Sequence, residues 1–301
     1  MNATGTISHG TPTRTPVAER LLAAPDLPAG DWRELNWDAA PVDGAPWAPW
    51  TSVSLWGTPT WTRLGHAQRV ELSRHETASV TGLGIWAENV LMQMLLRVAA
   101  GEPARSACTR YTLTEVGDEC RHSLMFSRLL GVLDTPDYGP RPAARRLTGA
   151  FAGIAHPVEA FATALIVEEI LDGLQRLAVH DPEVQPLARE VSRVHVVEEA
   201  RHISFARDEL ARRWGVLSPA RRATYAMTVA AGAGLIASSL IDRQVYAAVG
   251  LDPRRTAREA RRSEHRQALL RSTTARLVDD FTELGLITTA ARPLWRAAGL
   301  A

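Results

Sequence analysis

No lysine occurs in this 301-residue chain; all 34 basic residues are arginine. That removes a Schiff-base lysine and a phosphate-loop lysine from the possible chemistries. Cysteine is almost absent as well. Cys108 and Cys120 lie twelve residues apart in one helical-looking segment, about 18 Å of rise, too far to bridge. The pair excludes a disulfide framework and fits a reduced, cytoplasmic setting. Charge of one sign is not in excess either. A net charge of +1 gives no global attraction to nucleic acid or anionic lipid. The N-terminus lacks the apolar core of a signal peptide. No flavin or nicotinamide fingerprint and no strand-like alternation are found.

Long apolar runs are also scarce. One, residues 223–241, is about long enough to span a bilayer, but more than half of it is Ala, Gly, Ser or Thr. It reads as a core helix buried on all sides, not as a membrane span. Its small residues allow close helix contact, within one chain or across an expected homodimer.

What is present is helix. Residues 1–62 form a Pro- and Trp-rich arm. Six of the nine tryptophans fall between Trp32 and Trp61, and the first twenty residues look disordered. The indoles are expected to anchor the rest of the arm, which could cover a pocket mouth. Residues 63–301 read as a single helical domain. The expected helices are a first from about 64, a second over 82–101, a long third over 104–133, a fourth from Pro157 and a fifth from Pro182. The small-residue helix and one or two Arg-rich helices follow. Long helices with short connections predict an all-α antiparallel bundle, ferritin-like, with additional helices.

Two segments of this bundle repeat each other. Glu119 and His122 form one Glu-x-x-His; Glu199 and His202 form another. At this spacing a carboxylate and an imidazole share one helix face, one turn apart, and can converge on one ion. Upstream, Glu88 and Glu168 each sit in an apolar helix, 31 residues before the corresponding Glu. The whole set recurs at an offset of 80, which selects Glu168 over Glu169. Asp118 and Glu198 match at this offset, as do Arg121 and Arg201. Buried carboxylates need a cation or a proton, and two iron ions would supply the cation. Nitrogen and oxygen donors without thiolates suit iron, with manganese second. Asp118, Glu198 and Asp172 are candidates to hold the outward N–H of the ligating histidines. Arg121 and Arg201 either balance these acids or pair at the surface.

A lone Glu, Glu-x-x-His, a second lone Glu, then His-x-x-x-Glu-x-x-His resembles the di-iron N-oxygenases typified by p-aminobenzoate N-oxygenase. The resemblance implies a ferritin-like fold and a seventh ligand at His195. Helical geometry agrees, since Glu199 lies about 40° and His202 about −20° from His195 around the axis. In the first half this position is Glu115, so the symmetry breaks there; Glu115 is a further candidate to accept a hydrogen bond beside the ligands, or else is solvated. The resemblance further implies O2-dependent oxidation of a small, aromatic amine, with electrons from a separate donor. Rival readings are a di-iron C-hydroxylase or desaturase and a ferritin-like iron store. Thr81, Gly84, Phe161, Ala164, Leu165 and Phe205, close to the ligands in sequence, are candidate substrate contacts.

Overall fold

A helix expected to break just before Gly82 does not break. In the computed structural model, which describes residues 16–24 and 30–301, one helix runs from His66 to Gly101. The glycines serve tight packing instead of termination. A Cβ on Gly82 would lie 2.6 Å from the Tyr138 carbonyl oxygen, and one on Gly84 would lie 3.4 Å from the Phe126 ring.

The described elements, in chain order, begin with α1 (Val17–Ala23) and α2 (Pro59–Arg63). The four long helices are α3 (His66–Gly101), α4 (Ala107–Leu133), α6 (Pro157–His180) and α7 (Pro186–Gly215). Between them lies α5 (Pro142–Ile154). After them come α8 (Pro219–Ser239), α9 (Gln244–Ala248), α10 (Pro253–Arg262), α11 (Glu264–Thr273), α12 (Ala275–Glu283) and α13 (Arg292–Ala297). No strand occurs among the described residues.

Helix starts follow the side chains. Ser106 Oγ accepts from the Thr109 amide to open α4. At α6, His156 Nδ1 accepts from the Val158 amide while Glu159 reaches back to the His156 amide at 2.9 Å, with Pro157 in the first turn. The fifth expected helix starts at Pro186 rather than Pro182. Asp181 and Val184 are held in a turn before it.

Helices α3 and α4 pack as one hairpin and α6 and α7 as another. The hairpins meet through α3 on α6 and α4 on α7. This is a four-helix bundle with further helices outside it, as the hydrophobic pattern predicts.

Other expectations change. Residues 1–15 of the stretch expected to be disordered lie outside the described residues. Val17–Ala23 is helical, with Val17 and Ala18 buried where α1 meets α4 and α7. The helix α8 is not buried on all sides. The stretch Pro219–Ala248 that contains it is long and apolar enough to cross a membrane by length and composition. One face, including Ala226, Ala230 and Ala233, is buried where α8 meets α6 and α13, whereas Met227 is exposed. The C-terminal region forms four short helices instead of one or two, separated by breaks at Ser263, Thr274 and Leu284. From residue 30 the arm is irregular apart from two 3-10 turns, Trp32–Glu34 and Trp50–Ser52, and the short α2, with Trp37, Trp47 and Trp61 buried. Cys108 is buried and Cys120 exposed, and neither forms a disulfide.

Candidate metal centre

Glu88 on α3, Glu119 and His122 on α4, Glu168 on α6, and His195, Glu199 and His202 on α7 meet in the bundle interior. Each is at most 2 % exposed. Donor atoms of Glu119, His122, Glu199 and His202 lie within 4.8 Å of one another. So do those of Glu88, His122 and His195, and those of Glu168, His195 and Glu199. The three groups share residues and form one cluster.

The histidines are oriented. His122 Nδ1 faces Glu119 at 3.2 Å and Glu199 at 3.0 Å. His202 Nδ1 faces Glu199 at 3.1 Å and Glu119 at 3.3 Å. Their outward nitrogens are held by acids of the opposite hairpin. His122 Nε2–H donates to Glu198 at 2.7 Å, and His202 Nε2–H donates to Asp118 at 3.1 Å. Arg121 pairs with Asp118 at 2.5 Å and stands 3.9 Å from Glu198, so one guanidinium joins both supports. Arg201 does something else; it donates to the Leu21 carbonyl of α1.

His195 is turned the other way. Its Nδ1–H donates to the Gln175 amide oxygen at 2.7 Å, leaving Nε2 directed at Glu199 (3.3 Å) and Glu88 (3.7 Å). Gln175 is absent from the sequence-derived candidates. It lies seven residues after Glu168, two turns along the same face, and that spacing is the signal that could have found it. Asp172 instead takes Arg176 Nε at 2.6 Å. Glu169, about 100° around α6 from Glu168, pairs with Arg207 and takes no part in the cluster. Ser123 Oγ donates to Glu88 at 2.7 Å.

The electrostatics are those of a cation site. Burial, with Glu199 and Glu119 adding repulsion, pushes Glu168 well above the carboxylate range; burial also raises Glu88. Burial would raise Glu119 and Glu199 too, but the adjoining imidazoles outweigh it and hold both down. Burial opposes charge on His122 and His202, yet the surrounding carboxylates keep both well above the usual histidine range. Protons thus compensate the buried acids. Glu115, fully buried, is pushed up to about 8 by burial, with His202 opposing and Glu119 and Glu199 assisting. It shares no donor group with the seven.

A metal pair fits this donor set. Glu88 Oε1, Glu119 Oε1, both Glu168 oxygens, Glu199 Oε1 and His195 Nε2 are buried without hydrogen-bond partners. Such atoms are costly unless something binds them. Four carboxylates match the charge of two divalent ions, and the mixed nitrogen and oxygen set suits iron or manganese.

Beside His195 lies a cavity of about 110 Å³, close to the volume of a single aromatic ring. Gln175 and Phe126 line it, and the Phe126 ring sits 4.8 Å from the His195 ring. Leu171, Val80 and Leu129 give it apolar walls. The arm contributes Trp47, Ala48 and Ser52 to its lining. Of the six candidate substrate contacts, Thr81 and Gly84 line this cavity. Phe161, Ala164, Leu165 and Phe205 do not. They are core residues, with Phe205 4.6 Å from Tyr111 and 5.6 Å from Phe161. The reason is direction. The cavity takes the stretch before Glu88 on α3 and the stretch after Glu168 on α6, as antiparallel neighbours require. The candidates on α6 precede Glu168 and fall at the other end of the bundle.

Uncharacterised proteins of Mycobacterium bovis and Mycobacterium tuberculosis are 27 % identical to the chain over 189 residues, covering 60 % of it. The match spans 56 % of the length of these relatives. Residues 11–285 match the family described as P-aminobenzoate N-oxygenase AurF, a family of di-iron oxygenases with a ferritin-like helical fold. With most of its length and its carboxylate–histidine bundle inside that match, the chain belongs to the AurF family.

Proposed function

We propose that this chain is a di-iron N-oxygenase that inserts one oxygen atom from O2 into a small aromatic amine. The observation that carries the reading is the third imidazole. His195 presents Nε2 to Glu88 and Glu199, with Gln175 holding its other nitrogen. Glu88, Glu119, His122, Glu168, His195, Glu199 and His202 would hold the two ions, with Glu119 and Glu199 positioned between the histidines. When bound, a ferrous pair supplies electrons to O2.

The residues have separate tasks. Asp118, Glu198 and Gln175 fix the tautomer of each imidazole. Phe126, Leu171 and Val80 keep water from the amine and orient its ring beside His195. Transfer of one oxygen atom to nitrogen sends the other to water and needs two electrons and two protons. An external reductant is therefore a partner. Exposure of iron-loaded protein to ¹⁸O2 with an arylamine tests the proposal through the label in the N-oxygenated product.

A further inference from the structure

Outside the carboxylate–histidine cluster, a surface groove of about 530 Å³ is lined by Arg141, Arg243, Arg254, Arg258 and Arg261. The one acid among its lining residues is Asp242, whose Oδ1 already accepts from the Gln244 amide at 2.8 Å. None of the five guanidinium groups forms an ion pair with a described carboxylate. Three of them stand on one face of α10, at i, i+4 and i+7. The other two come from the start of α5 and the link between α8 and α9.

A second charged groove shows why this arrangement is unusual. There Arg20, Arg176, Arg207 and Arg276 face Glu169, Asp172 and Asp208. Arg207 pairs with Glu169 and Asp280, and Arg176 with Asp172 at 2.6 Å. Two of its four arginines are thus paired within the chain, and three acids share its lining. In the first groove five like charges converge on one concavity, which costs free energy until an anion enters. Guanidinium forks match phosphate oxygens two at a time. The groove's volume is that of a small-molecule site, not of a flat protein interface. Ile241 lines both this groove and the cavity near His195, so the two lie on either side of the same residue.

We propose that the groove binds the phosphate-bearing end of a small molecule. The site stands on its own arginines. Only the question of whether the phosphate belongs to the amine substrate rests on the N-oxygenase reading.

Isothermal titration of the full chain with ADP tests the site. One saturable site per chain is expected. The double substitution Arg254→Gln and Arg258→Gln should weaken it at least tenfold with helical content unchanged. Arg255→Gln, on the same helix but outside the groove, should leave it within twofold. If the double variant loses helix, Arg141→Gln on a separate element takes its place, with the same loss expected. Non-saturating heats, or equal loss in Arg255→Gln, would overturn the proposal. Turnover of 4-aminophenyl phosphate against aniline identifies the source. A lower KM for the phosphate ester that the double substitution abolishes assigns the phosphate to the substrate. ADP binding with no such difference assigns it to a separate ligand. Failure of amine oxidation altogether would leave the ADP titration unaffected, so the two readings fail separately.

Discussion

Asp118 stands next to Glu119 on α4 but accepts its hydrogen bond from His202 on α7, at 3.1 Å. Glu198 returns the relation, accepting from His122 on α4 at 2.7 Å. Each hairpin therefore orients a histidine of the other, and Arg121 ties the two acids together. Asp118→Ala should lower ferrous affinity about 10–100-fold, through a histidine that is 84 residues away in sequence. Anaerobic ferrous titration of the variant reads this directly; wild-type affinity would sink the crossed-support account.

Gln175 fixes His195 with Nδ1 protonated and Nε2 free toward the cluster. Gln175→Leu keeps the volume and removes the acceptor. The variant should bind its second ferrous ion about tenfold more weakly, while Gln175→Glu, which still accepts, should recover most of the loss. Equal titrations for wild type and Gln175→Leu would show that the amide does not position the imidazole.

Much of this site was legible because a helix has a fixed period. Glu119 and His122, and Glu199 and His202, share a face by spacing alone, and the offset of 80 finds Glu88 and Glu168. Which acid supports which histidine was not legible, because it depends on how the hairpins face each other. Closeness to the ligands in sequence did not give the cavity: four of the six candidates lie outside its lining, because the stretch after Glu168, not the one before it, lies beside the stretch before Glu88. Gln175 carries no charge to attract notice, although its spacing from Glu168 was there to read. The helix break expected at Gly82 failed because a close neighbour, not a turn, requires that glycine.

Gly82→Ala accordingly should destabilise the fold. The gain in helix propensity is about 1 kcal/mol. A contact at 2.6 Å with the Tyr138 carbonyl oxygen forces backbone movement, a cost of about 1–3 kcal/mol for overpacking. Gly131→Ala, where a Cβ would meet nothing within 4 Å, should stabilise by about 0.5–1 kcal/mol. Chemical denaturation of both variants checks the opposite signs.

Glu76 lines the cavity and is buried against Ser54, whose amide donates to it at 2.8 Å. Burial raises its pKa from 4.5 to about 7, with the Ser54 bonds opposing. The folded state therefore holds a proton that the unfolded state has released between these values. The contribution is full below about 4.5, falls as pH rises, and is gone above about 7. It corresponds to about 3 kcal/mol. Glu76→Gln should flatten the fall in unfolding free energy across this window. A wild-type slope in the variant would contradict the assignment.

The central claim is that this carboxylate–histidine cluster directs oxygen from O2 to an amine nitrogen. A single turnover with the iron-loaded chain, ¹⁸O2 and 4-aminobenzoate tests it most directly. The account predicts two iron ions per chain and one ¹⁸O atom on the product nitrogen, with the yield reduced at least tenfold in His195→Ala. Iron below one per chain, ¹⁸O on ring carbon, or full activity in His195→Ala would contradict it.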